Sequence, residues 1–111
     1  MRIRTQDYNN VTVVEMQGEL DGDFAEQLRN TISDVITTSK TGIVLDIRAV
    51  GFIDSKGLEQ LLWARDYCNE NKRGIRIAGL DENCAKILEI TRLDNEFDCY
   101  TELSEAVKSF T

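Results

Sequence analysis

Ser55 lies in Gly51-Phe52-Ile53-Asp54-Ser55-Lys56-Gly57-Leu58, after the most apolar run in the chain, Ile43-Val44-Leu45-Asp46-Ile47, and before its strongest helical pattern. A Ser or Asp at such a strand-to-helix junction is an expected N-cap, its side-chain oxygen accepting a hydrogen bond from an amide of the first turn. Two details exceed that role. Gly57 falls inside the first turn, where glycine costs about 1 kcal/mol relative to alanine. The capping box is absent, because the residue three after Ser55 is Leu58 rather than Glu or Gln. Tight packing of helix on sheet explains Gly57 best, with close approach of a partner as the other reading. The chain has no histidine, so neither a Ser-His-Asp triad nor a Cys-His pair can activate a nucleophile. Neither GxxxxGK[ST] nor GxGxxG occurs. A Mg²⁺ site of the phospho-accepting receiver type needs an acidic pair at the end of an early strand, and that strand ends in Gln17-Gly18. The chemistry left to Ser55 is that of a substrate. A hydroxyl at a helix N-terminus can take up phosphate without disturbing the helix, since the dipole, the free amides and Lys56 favour the added charge. A phosphate beside Asp54 would repel a partner shaped for neutral serine. From spacing alone, capping is the commoner role for such a serine.

The 111 residues suffice for one domain, residues 1–111. Thirteen Lys and Arg against 20 Asp and Glu give a formal net charge of −7, which repels nucleic-acid phosphate and anionic lipid and favours a partner with basic patches. The first residues, Met1-Arg2-Ile3-Arg4-Thr5-Gln6-Asp7, have no apolar core of the secretory type. No run approaches membrane-spanning length, so a cytoplasmic protein without membrane insertion is expected. Cys68, Cys84 and Cys99 are odd in number, with no CxxC and no histidine to complete a zinc site. Reduced, mostly buried thiols and no metal or cofactor are expected.

The elements that must position Ser55 follow from periodicity. Residues 2 to 8 read as a short edge strand, joined through Asn9-Asn10 to a second strand, Val11 to Gln17. Gly18-Glu19-Leu20-Asp21-Gly22-Asp23 then breaks that strand. Asp21 is the expected cap of a first helix, with Asp23 and Glu26 near its positive end and Phe24, Leu28, Ile32, Val35 and Ile36 as its buried stripe. Thr37 to Gly42 closes this helix and turns into the central strand, whose continuous apolar character suits burial on both faces. The second helix spans about Ser55 to Asn71, with Leu58, Leu61, Leu62, Ala64 and Cys68 inward and Trp63 and Tyr67 opposite. Arg65 shares the inward stripe, so its stem should cover the core while its head reaches water. Ile75 to Ala78 is the next strand, and Asp81 caps a third helix carrying Ala85, Ile87, Leu88 and Ile90. Glu96 to Tyr100 makes a weak last strand. Thr101 is the expected cap of a final helix with Leu103, Ala106, Val107 and Phe110 inward.

The order β β α β α β α β α predicts an α/β fold with a mixed, mostly parallel sheet and an antiparallel edge hairpin. If the strands of Val11, Ile43 and Ile75 are parallel, their C-terminal ends share one rim. Asp21, Asp23, Asp54, Ser55, Lys56, Gly79 and Asp81 are expected there.

Gly18-Glu19-Leu20-Asp21, the central strand Ile43 to Ile47, the loop Phe52-Ile53-Asp54-Ser55-Lys56-Gly57-Leu58 and the helix Ala85 to Leu93 together resemble the STAS domain of bacterial anti-sigma factor antagonists, over essentially the whole chain. The resemblance implies a non-enzymatic binding protein. It implies that Ser55 is phosphorylated by a partner kinase that is itself the anti-sigma factor, related to histidine-kinase ATPases. The unphosphorylated form would bind that kinase and release a sigma factor, and a metal-dependent serine phosphatase would reset the switch. Asp21, Gly22, Asp23, Asp54, Ser55, Lys56, Gly57, Glu59 and Trp63 would form the docking surface. Members of the family usually have a second small residue where this chain has Lys56, and small or apolar residues in place of Glu59, Gln60 and Trp63. These departures spare the acceptor and alter the docking surface. Trp63 and Tyr67 are either a stacked pair on the helix surface, an aromatic patch under the last helix, or an interface hot spot. The competing functional reading is a constitutive docking subunit of a transporter ATPase or signalling scaffold, with Ser55 unmodified. The weakest is a small enzyme using the rim carboxylates.

Overall fold

The computed structural model describes residues 2–38 and 41–110. Ser39 and Lys40, in the expected connection after the first helix, lie outside the described residues. The elements are β1 (Arg2–Tyr8), β2 (Val11–Leu20), α1 (Ala25–Ile36), β3 (Gly42–Ile53), α2 (Ser55–Glu70), β4 (Gly74–Ala78), α3 (Glu82–Ile90), β5 (Cys99–Tyr100) and α4 (Leu103–Lys108). The five strands form one sheet in the order β1-β2-β3-β4-β5. β1 pairs antiparallel with β2, and every later pair is parallel.

Strand alternation sorts the apolar residues to two faces. Val14 and Met16 of β2, with Ile43, Leu45 and Ile47 of β3, point to the face carrying α1, α2 and α3. Val11, Val13, Val44 and Ala78 point to the other face, where Ala106 of α4 covers them. Two-sided burial is why β3 begins as a continuous apolar run. The expected stripe of α1 is present, with Phe24, Leu28, Ile32 and Val35 buried and Ile36 partly so. Asp21 caps a short 3₁₀ turn, Gly22–Phe24, that leads into α1, and its carboxylate accepts from the Asp23 amide at 3.1 Å.

Several expectations need correction. Gly18 to Leu20 do not break β2, which continues through them with register shifts and a positive φ of 119° at Gly18. Bulges of this kind bend a strand without ending it. β3 likewise runs on to Ile53, so Gly51, Phe52 and Ile53 are strand rather than loop. In α3 the buried residues are Cys84 and Leu88, while Ala85 is exposed and Ile90 is 71% exposed. Thr101 does not cap α4; Glu102 occupies that position without a side-chain bond. The guanidinium of Arg65 is not simply in water. It lies over the Phe97 ring and is bound by Asp66 and Glu96.

Cys68 and Cys84 are buried, Cys99 is exposed, and all three are free thiols. Burial pushes the Cys68 thiol up to about 11 and the Cys84 thiol up to about 12, the latter helped by Asp81. Among the described residues, no helix is long and apolar enough to cross a membrane.

Candidate functional site

The site is built around one backbone carbonyl. Leu20 O, at the end of β2, accepts the Asp54 amide at 3.2 Å. A Cβ on Gly57 would lie 2.1 Å from the same oxygen. The first turn of α2 therefore rests on the end of β2 at a distance only glycine allows. This resolves Gly57 in favour of packing, and the residue is buried. The contact draws two chain segments together, Asp21 to Asp23 and Asp54 to Gly57. The stem of Lys56 crosses between them, since a Cβ on Gly22 would stand 2.6 Å from Lys56 Cδ.

Asp54, and not Ser55, is the N-cap. It has extended backbone angles, and its Oδ1 accepts the Gly57 amide at 2.8 Å. Ser55 is the first residue of the helix and exposed, and its hydroxyl has no hydrogen-bond partner among the described residues. The capping role thus falls to the neighbour, which leaves the serine oxygen free. We expect Asp54→Ala to lower stability by about 1 kcal/mol and Ser55→Ala to change it by less than about 0.5 kcal/mol, read from urea unfolding midpoints. The reverse order would return the cap to Ser55.

Around the serine are Asp21 and Gly22, both half-buried, and the exposed Asp23 and Lys56. Glu59 is exposed on the next turn. Trp63 is not beside the serine: eight residues along α2, it lies about 12 Å further down the helix axis. Its ring stacks on Tyr67 with centroids 5.0 Å apart, and the Arg29 guanidinium of α1 sits 5.1 Å from the Trp63 centroid. Both rings pack against the core on the side of α1. The last helix, on the opposite face of the sheet, does not cover them. Gln60, expected with Glu59 and Trp63 to alter the docking surface, is instead buried between the same helices and accepts from Arg29 Nε at 3.0 Å. A polar residue among apolar ones on a helix gives no periodic signal; only the facing Arg29 makes its burial tolerable.

The expected single rim is split. β4 stops at Ala78, level with Asp46, while β2 and β3 continue together to Leu20 and Ile53. Gly79, with φ +80°, abuts Arg48. At ~3.3 Å per residue that contact lies roughly 20 Å of strand short of Asp54. Asp81 caps α3, its carboxylate accepting the Cys84 amide at 2.7 Å, and the Cys84 thiol reaches Val50 O at 3.6 Å. Gly79 and Asp81 thus line the flank of the extended β2–β3 ribbon, and only Asp21 to Asp23 and Asp54 to Lys56 gather at its tip. Among the described residues, no group of three or more His, Cys, Asp or Glu side chains could hold a metal ion.

A model of the STAS domain matches residues 2–106. The chain belongs to the STAS domain family. Within that family it is 27% identical over 106 residues to the anti-sigma-F factor antagonist RsfB of Mycobacterium tuberculosis, covering 95% of this chain and 85% of the relative. The crystal structure of an anti-sigma factor antagonist from Mycobacterium paratuberculosis superposes with a TM-score of 0.85 at 27% identity, over 97% of this chain and 92% of that one. The unphosphorylated form of the anti-sigma factor antagonist SpoIIAA shares the fold, with a TM-score of 0.81 at 20% identity over 98% and 96% of the two chains. In this STAS domain the tip of the β2–β3 ribbon presents Asp23, Ser55 and Lys56 as exposed residues.

Proposed function

We propose that this STAS domain is an anti-sigma factor antagonist, a binding protein whose contact with an anti-sigma factor is controlled by phosphorylation of Ser55. The observation that carries the reading is the free Ser55 hydroxyl in the first turn of α2, left without a partner because Asp54 holds the cap. The similarity to antagonists at 27% identity along nearly the whole chain supports the same reading. The kinase would be the anti-sigma factor itself, of the histidine-kinase-like ATPase type, and a serine phosphatase would restore the free form. A phosphate adds about −1.5 to −2 charges. At this position the amides of the first turn and Lys56 tolerate it within the domain, so α2 stays folded. Outside the domain it joins Asp21, Asp23, Asp54 and Glu59 on a surface already acidic, and a partner seated over neutral serine is displaced by charge and bulk.

The test has two parts. Intact mass after incubation with Mg²⁺-ATP and lysate of the source organism should show one added phosphate on the wild type and none on Ser55→Ala. In binding to the kinase so identified, Ser55→Ala should retain the wild-type affinity and Ser55→Asp should lose at least about tenfold, or about 1.4 kcal/mol. Equal affinities for the two variants would overturn the switch. An unmodified Ser55 in a lysate active on other substrates would leave a constitutive docking subunit instead.

A further inference from the structure

On the sheet face that carries α4, that short helix leaves the ends of β1, β2 and β3 uncovered. A cleft of about 220 Å³ opens there, lined by Arg2, Arg4, Glu15, Gln17, Asp46 and Arg48 together with Met16 and Ala49. It is on the opposite face from α1, α2 and α3, and nothing in the switch described above uses it.

Its charges are arranged in an unusual way. Glu15 and Asp46 are direct partners across the parallel β2–β3 pair, so two carboxylates stand side by side on one face. Like charges in that relation repel. Asp46 is also only 5% exposed, and the hydrogen bond its carboxylate accepts is from the Arg48 backbone amide at 3.1 Å. A buried carboxylate ordinarily has a cation beside it, yet among the described residues no Arg or Lys forms an ion pair with Asp46. The cations are present but held at the rim. Arg4 reaches Glu15 at 3.6 Å from the exposed edge strand. Neither the Arg2 nor the Arg48 guanidinium has a partner among the described residues. Among the described residues, the cleft thus has a buried Asp46 with no cation of its own, and two guanidiniums, those of Arg2 and Arg48, with no anion, while Glu15 shares its charge with Arg4 alone.

We propose that this cleft binds a free α-amino acid, its ammonium group on Glu15 and Asp46 and its carboxylate on Arg2 and Arg48. One small zwitterion supplies both missing charges. A simple anion would leave the Glu15–Asp46 repulsion in place and add to it, and a simple cation would leave two guanidiniums unpaired. The size agrees: the volume falls below the ~300–1,000 Å³ of pockets for drug-sized ligands. Arg2 and Arg48 can each offer a carboxylate two parallel N–H donors.

The probes are the standard L-α-amino acids, added one at a time at about 10 mM to the ¹⁵N-labelled full chain, a concentration that saturates a site with a Kd of about 1 mM. At least one should shift the amide signals of Arg4, Glu15, Asp46 and Arg48 saturably while leaving Ser55 and Lys56 unmoved. Its decarboxylated amine and its N-acetylated form should each bind at least about tenfold more weakly. Asp46→Asn should weaken binding by a similar factor, and so should Arg48→Gln, an exposed position whose replacement spares the core. If no amino acid produces a saturable shift, or if binding survives both Asp46→Asn and Arg48→Gln, the proposal fails. Equal binding of the amine without its carboxylate would also overturn it.

Discussion

Replacing Gly57 by alanine is expected to destabilise the protein by about 1–3 kcal/mol, although alanine is the better helix former. In an isolated helix the substitution would gain about 1 kcal/mol. Here the new methyl would sit 2.1 Å from Leu20 O and 2.9 Å from Leu20 C, both backbone atoms, and 3.1 Å from Ile53 Cγ2. A flexible side chain could swing aside, but the end of β2 cannot, because Leu20 is paired with Ile53 and its carbonyl already accepts the Asp54 amide. Either α2 lifts away from the sheet or that hydrogen bond stretches, and in both cases the segment bearing Ser55 moves. Gly51→Ala provides the counterpart, because a Cβ there meets nothing within 4 Å. It should be neutral or stabilising by about 0.5 kcal/mol, from the lost flexibility of the unfolded chain. Urea unfolding of the two variants, compared with wild type, checks both. A Gly57→Ala protein as stable as wild type would remove the packing argument and reopen close partner approach as the reason for glycine.

The second large effect is at Leu61. Leu61→Ala is expected to cost about 3–5 kcal/mol, since its side chain is 0% exposed and belongs to the main core cluster. That is a large part of the ~5–15 kcal/mol stability of a domain this size. Leu62→Ala should cost only about 1 kcal/mol, because Leu62 is half-buried at the core's edge. The readout is the shift of the urea midpoint at unchanged slope, which separates lost stability from a change in the unfolded state. Comparable losses at the two positions would mean that α2 is rotated on the sheet relative to the structure described.

Leu61 and Leu62 also show where sequence reasoning stops. Both fell on the inward stripe of α2, and a stripe roughly 100° wide cannot rank positions within it. Trp63, on the opposite side by the same projection, still packs on the core's edge because α1 lies alongside and Arg29 caps its ring. Of the apolar residues that α3 carries, Ala85, Ile87, Leu88 and Ile90, the structure buries Leu88, leaves Ile87 half-buried, and turns Cys84 inward beside them. A short helix with apolar residues on two sides settles its rotation by which side finds a cavity to fill. Here Cys84 reaches Val50 on β3.

The sequence by itself determined the element order, the hairpin at the edge, the parallel core strands and the caps at Asp21 and Asp81. It also singled out the junction that carries Ser55. These are local matters. Strand and helix periods, turn residues and capping oxygens act over a few residues, so they are written directly in the chain. What only the tertiary structure decided depends on partners distant in sequence. β2 and β3 continue past Gly18 and Arg48 because each supplies the other's hydrogen bonds there, and no single-strand pattern records that mutual support. The same ribbon lifts Asp54 to Lys56 away from Gly79 and Asp81 and gives the cap to Asp54, freeing the serine oxygen. Glu15 and Asp46 are 31 positions apart in the chain, and only the register of β2 on β3 makes them neighbours in one cleft.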